Sequence, residues 1–202
     1  MNSQKINLRF VVLAAIILAA AFSRLVPHIP NFSPLGAIGL FGAAHFNKKW
    51  QAILIPLAAT FISDLFINNV IYAQYYPTFT WLSTGFYWQY GAYILITLVA
   101  FLIFKKVNTA TVLTGALASS TIFFLVTNFG CWPGNYYPQN FGGLMQCFAA
   151  GLPFANGNTL SSLLTSPSLF GTMLGDLFYA GLLFGSFAIA QKRFAVLQPS
   201  VA

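Results

Sequence analysis

Asp64 and Asp176 are the only acidic side chains in 202 residues, and each lies inside an apolar run. A carboxylate in hydrocarbon costs ~2.5–3.5 kcal/mol even on insertion scales, so it persists where it faces a bundle interior or a cavity. Each could contact a ligand or carry a proton. Each could equally be held by Ser, Thr or backbone groups and serve helix packing alone. They occupy similar strings, T-F-I-S-D-L-F and T-M-L-G-D-L-F, with Thr one helical turn before Asp on the same face. Asn68 follows Asp64 by another turn, and Arg24 is expected at a similar depth. Asp64 therefore has both an ion pair and a ligand contact open to it.

Four further residues could do chemistry. His28 stands between two prolines, where it could be a metal ligand, a pH sensor or an exposed loop residue. His45, beside Asn47-Lys48-Lys49, is expected to be interfacial. Cys131 and Cys147 are separated by 15 residues in the chain's longest uncharged stretch, a spacing that suits a disulfide without establishing one. A thiolate ligand is the other use of such a residue. Around them stand Asn31, Asn128, Trp81, Tyr87 and Trp132. Aromatics mixed with Asn, Gln and Ser form either an interfacial belt or the lining of a pocket for a flat, mostly neutral ligand.

The elements that must position these residues are membrane helices. The chain is 58% hydrophobic and 5% charged, against roughly 25% charged residues in soluble domains. Apolar runs over residues 7–26, 34–46, 50–70, 90–104, 109–128 and 167–191 predict six helices in one integral membrane domain spanning 1–202. The second run is too short for a full crossing and reads as a short or partly re-entrant helix. Pro56 predicts a kink in the third. Eight of the nine basic residues cluster at one set of segment ends, while 27–33, 71–89 and 129–166 contain no Asp, Glu, Lys or Arg. The positive-inside bias then places both termini in the cytoplasm. The long outer loop 129–166 is too apolar for disorder and is expected to act as a lid or ligand platform, with a short helix near 143–152.

Several functions are excluded or disfavoured. The net charge of +7 is spread over helix ends rather than gathered in a stripe, so anionic lipid headgroups explain it and nucleic acid does not. No G-x-x-x-x-G-K-[ST] is present, so any ATP-driven cycle must borrow its ATPase. Gly171 and Gly175 are four apart and do not form the G-x-G-D of intramembrane aspartyl proteases.

The string S-R-L-V-P-H-I-P-N-F-S-P-L-G-A-I-G-L-F-G-A-A-H-F, with I-S-D-L-F and F-L-V-T-N-F-G-C-W, resembles an uncharacterised family of small bacterial membrane proteins. That family is similar to the substrate-binding S-components of energy-coupling-factor (ECF) vitamin transporters, and the likeness runs from Ser23 to Phe178. It implies an all-α bundle of six transmembrane helices in a bacterial cytoplasmic (inner) membrane. It also implies capture of a vitamin-like molecule under the outer loops. Ala15 and Ala19 match the Ala-x-x-x-Ala surface on which such subunits dock a coupling subunit, which in turn carries the ATPases. A solitary cobalamin transporter of similar fold makes cobalamin a candidate, with Cys131 or His28 as the cobalt ligand. The cysteine of that relative precedes the fourth helix, where this chain has none.

The expected function is thus a substrate-binding membrane subunit, not an enzyme, and it needs no cofactor of its own. The expected substrate-binding set is Arg24, His28, Asn31, Asp64, Asn68, Trp81, Tyr87, Asn128, Cys131, Trp132 and Asp176. The rival classes are an intramembrane metal- or aspartate-dependent enzyme and a non-transporting scaffold or assembly protein.

Overall fold

The structure is a computed structural model that describes residues 8–134, 136–152 and 169–198. All regular structure among the described residues is helical: α1 (Leu8–Phe22), α2 (Leu35–His45), α3 (Lys49–Phe66), α4 (Phe86–Ile103), α5 (Thr109–Cys131), α6 (Phe141–Ala150) and α7 (Leu169–Arg193). Five of them, with the short turns that extend α1, α3 and α5, are long and apolar enough to cross a membrane. The chain is a multi-pass membrane protein by that measure.

The expected runs map closely onto these helices. α4 starts four residues before its predicted run, and α5 continues to Cys131. α3 continues into a π turn, Ile67–Ile71. The predicted short helix in the long loop is α6, beginning two residues earlier than expected. The remainder of that loop, 153–166, lies outside the described residues.

α2 is the exception to length. Its 11 residues rise only about 16 Å, half of a ~30 Å hydrocarbon core. It is nonetheless the hub, buried continuously from Leu35 to Gly42 and packed against α1, α3, α4, α5 and α7. Its sequence, L-G-A-I-G-L-F-G-A-A-H, explains how one helix can touch five. Small residues let neighbouring backbones approach, the main source of helix association in lipid. A Cβ at Gly42 would lie 3.0 Å from the Ala52 carbonyl and 3.1 Å from Pro56, and one at Gly39 would lie 3.0 Å from the Thr97 hydroxyl. Pro56 sits within α3, and Thr60 donates to the Pro56 carbonyl at 2.9 Å.

The bundle has two chemically distinct ends. The basic end carries Lys48, Lys49, Lys105, Lys106, Lys192 and Arg193. There Arg9 donates to Asn47 Oδ1 (3.1 Å) and to the Leu197 carbonyl (3.1 Å), tying α1 to the α2–α3 turn and to the segment after α7. His45, expected to be interfacial, is instead enclosed by Phe41, Phe184 and Phe187, at ring separations of 4.6, 5.4 and 4.7 Å. The aromatic end carries the uncharged loops.

Candidate functional site

At the aromatic end, beyond the first turn of the half-length α2, lies a cavity of about 560 Å³. Its wall is built from α4, α5, α7 and the segments that follow α1 and α3. The segment joining α1 to α2 covers it with Arg24, Pro27, His28, Pro30, Asn31 and Ser33; the π turn after α3 adds Ile67 and Ile71. The remaining polar wall is built from one turn each of α4, α5 and α7: Gln89 and Tyr93, Ser119 and Phe123, Thr172 and Asp176. Each pair is spaced i, i+4, which places both side chains on one helix face.

Asp176 forms the floor. It is 2% exposed, accepts a hydrogen bond from Ser120 Oγ at 2.8 Å, and faces the Ala37 N–H in the first turn of α2. That N–H is one of the four that a helix start leaves without an intrahelical partner. Gly36 fits here because it has no Cβ: one added there would run into Ser119 Oγ and both oxygens of the Asp176 carboxylate. Among the described residues no cation pairs with Asp176.

Asp64 has the opposite environment. Its Oδ1 receives Arg24 Nη1 at 2.6 Å, its Oδ2 receives the Tyr90 hydroxyl at 2.8 Å, and Ser63 Oγ receives the same Arg24 Nη1 at 3.0 Å. The cluster binds the outermost turns of α1, α3 and α4 together. Of the two uses open to Asp64, the structure shows the ion pair; the carboxylate is absent from the cavity lining, whereas Arg24 is present. Although the two Asp strings look alike, they run in opposite directions along the bundle and serve different partners.

The lid is seated on α7. A Cβ at Gly171 would come within 2.5 Å of the Pro30 carbonyl, and one at Gly175 within 2.8 Å of the Ser33 nitrogen. The pair of glycines that fails as a protease motif is thus the bed on which the lid backbone lies. Asn31 takes a left-handed conformation (φ 61°), which Asn tolerates better than most residues, and the Phe32 N–H closes a turn onto the Ile29 carbonyl at 3.0 Å. Phe32 itself packs on Phe178 and Tyr179.

A smaller cavity of about 230 Å³ adjoins the first, sharing Asn31, Gln89, Phe123 and Thr172, and adds Asn128 and Cys131. α6 closes its far side. There Cys147 donates to the Asn128 carbonyl at 3.2 Å, and the two cysteines are free thiols, Cys131 exposed and Cys147 buried. Burial and the neighbouring Cys131 push the Cys147 thiol above its ordinary pKa.

Of the eleven expected site residues, Arg24, His28, Asn31 and Asp176 line the larger cavity and Asn128 and Cys131 the smaller. The others do not. Trp81 is 63% exposed, packed on Phe79 in a loop that Asn69 pins through reciprocal bonds to Thr80 (2.7 and 2.8 Å). Tyr87 is 61% exposed, because two residues along a helix turn it to the face opposite Gln89. Trp132 donates to the Pro138 carbonyl at 3.0 Å and shapes the turn before α6. Asn68 is buried in the π turn, with its Nδ2 unpartnered among the described residues, outside both linings. Gly36, Gln89, Tyr93, Ser119, Phe123 and Thr172 were not anticipated, although the i, i+4 spacing of three pairs was readable.

Among the described residues no group of three or more His, Cys, Asp or Glu could hold a metal ion. Residues 4–199 match a family of unknown function, DUF6580. The chain belongs to DUF6580. No curated protein and no solved structure matches it. The DUF6580 match covers every residue of both cavities, so lid, floor and half-length hub all fall within the family's extent.

Proposed function

We propose that this DUF6580 protein is a substrate-binding membrane subunit for uptake of a vitamin-like small molecule. The observation that carries this is the lidded cavity of about 560 Å³ at the aromatic end. Its size falls in the range typical of small-molecule sites, roughly 300–1,000 Å³, and its lining mixes polar and apolar side chains in similar measure. The positive-inside bias turns that end outward and both termini into the cytoplasm, in a bacterial inner membrane. The likeness to S-components supports the same orientation. In that reading α2 is a short sixth membrane helix, and the lid over residues 27–33 closes on the captured molecule.

The docking surface belongs to the same proposal. Ala15 and Ala19 are both exposed on α1, one turn apart, free to meet an ECF coupling subunit and its ATPases. The size of the cavity favours a single ring system over a corrin. Cobalamin would have to leave much of its bulk in the opening, with cobalt near His28 or Cys131.

Native mass spectrometry of the full chain, gently extracted, tests this reading. A stoichiometric adduct of vitamin size, lost when Ile71→Trp fills the cavity mouth, upholds it. A ligand-free mass unchanged across a vitamin panel sinks it and leaves the scaffold or enzyme classes.

A further inference from the structure

Resting on that reading, we infer that the captured molecule is a flat monocation, a quaternised or protonated nitrogen heterocycle, held over Asp176 and against Tyr93 and Phe123. Charge around the cavity decides the sign. Arg24, the cation in its lining, is already joined to Asp64 at 2.6 Å, so that pair contributes nothing net. His28 lies in the lid and is exposed. Asp176 is then the carboxylate of the lining, without a basic partner among the described residues, and it is 2% exposed. An anionic ligand would meet this carboxylate in a site whose arginine is committed. A zwitterion would leave the charge uncompensated. A single positive charge cancels it.

The wall beside Asp176 points to the same class. Tyr93 and Phe123 stand 5.6 Å apart with their planes within 13°, and both line the cavity. Stacked on each other, the rings keep one face each for a further neighbour, and a cation within about 6 Å of a ring centroid is attracted to such a face, most strongly in a desolvated site. A flat heterocycle offers area to these faces and charge to the carboxylate together. Gln89, Asn31 and the unshared N–H groups of Arg24 remain for neutral acceptors on the ligand's edge.

Three probes of one shape isolate the charge: 1-methylnicotinamide (cation), nicotinamide (neutral) and nicotinate (anion). Their binding to the full chain in lipid nanodiscs is read by tryptophan fluorescence and calorimetry. The cation is expected to bind at least about tenfold more tightly than the neutral amide, with the anion weakest. Asp176→Asn should erase that preference. Phe123→Leu, which leaves the carboxylate in place, should weaken the cation several-fold and the neutral amide little, and it decides the matter if Asp176→Asn does not fold. Equal binding of the three probes, or a preference that survives both substitutions, overturns the cation assignment; probe entry that Ile71→Trp still blocks would leave the capture reading standing. Absence of cation binding at millimolar concentration also overturns it, while a co-purified adduct would then uphold capture of another class.

Discussion

Replacing Arg24 by Ala tests whether the outer ends of α1, α3 and α4 are held by one charged cluster. The Arg24 guanidinium and Asp64 carboxylate meet at 2.6 Å with both side chains 16% exposed. Removing the arginine leaves the carboxylate with the Tyr90 hydroxyl alone, 2.8 Å away. Breaking one side of a buried pair costs about 3–5 kcal/mol, because the remaining charge is stranded. Tyr90→Phe removes one hydrogen bond to a charged group, about 1.5–3 kcal/mol. Asp64→Asn together with Arg24→Ala strands neither charge, so the double variant should be more stable than the sum of the singles predicts, by about 1–3 kcal/mol. Denaturation of each variant in mild detergent, followed by tryptophan fluorescence, measures all of these. Because Arg24 immediately precedes the lid, its loss should also weaken ligand retention, whereas Tyr90→Phe should spare it. An Arg24→Ala protein within about 0.5 kcal/mol of the parent, or strict additivity in the double variant, would refute the reasoning.

Gly175→Ala should unseat the lid, since its Cβ would fall 2.8 Å from the Ser33 nitrogen and 3.1 Å from Phe32 Cα; overpacking of this kind costs about 1–3 kcal/mol, and limited proteolysis within 26–33 with loss of bound ligand would report it. Cys131 should react with a membrane-impermeant maleimide added from outside intact cells, and Cys147 only after denaturation, a difference of one mass adduct. Ala15→Leu with Ala19→Leu should change stability by less than about 0.5 kcal/mol, because both positions are exposed. The same pair should abolish co-purification with an ECF coupling subunit while small-molecule binding persists.

Helix positions were legible because most apolar runs are bounded by Lys, Gly or Pro, and the break between α1 and α2 was legible because Pro27, Pro30 and Pro34 interrupt a helix. The cavity was only half legible. His28, Asn31 and Asp176 were chosen for residue type, and all three line the larger cavity. Trp81 and Tyr87 were chosen for the same reason and lie outside both linings, because helical phase turns Tyr87 away from Gln89 and the Asn69–Thr80 clamp fixes the loop that carries Trp81. Gln89–Tyr93 and Ser119–Phe123 carried the needed periodicity. They were hidden by being ordinary residues in ordinary helices, with nothing to show that those faces meet. The partner of Asp64 could be suspected from depth, but depth could not tell an ion pair from a ligand contact.

The short α2 explains why a carboxylate stands at the floor at all. A helix that begins halfway across the bilayer leaves backbone N–H groups at a depth where each unsatisfied one costs several kcal/mol. Pro34 at the cap has no N–H to satisfy, and Asp176 is the acceptor that faces that of Ala37. The space beyond the first turn of α2 is the cavity, so the carboxylate beside that turn also lines the cavity. Two substitutions separate those duties. Asp176→Asn keeps a carbonyl oxygen for Ala37 and should fold with at most about 1–2 kcal/mol lost, while losing the charge. Asp176→Leu is similar in size but offers no acceptor, and should cost a further 1–3 kcal/mol, roughly the penalty of one buried unsatisfied N–H. Parallel denaturation of the two variants checks the capping argument independently of any ligand. If the leucine protein is as stable as the asparagine protein, the N–H of Ala37 does not depend on Asp176, and the carboxylate must be explained by the ligand alone.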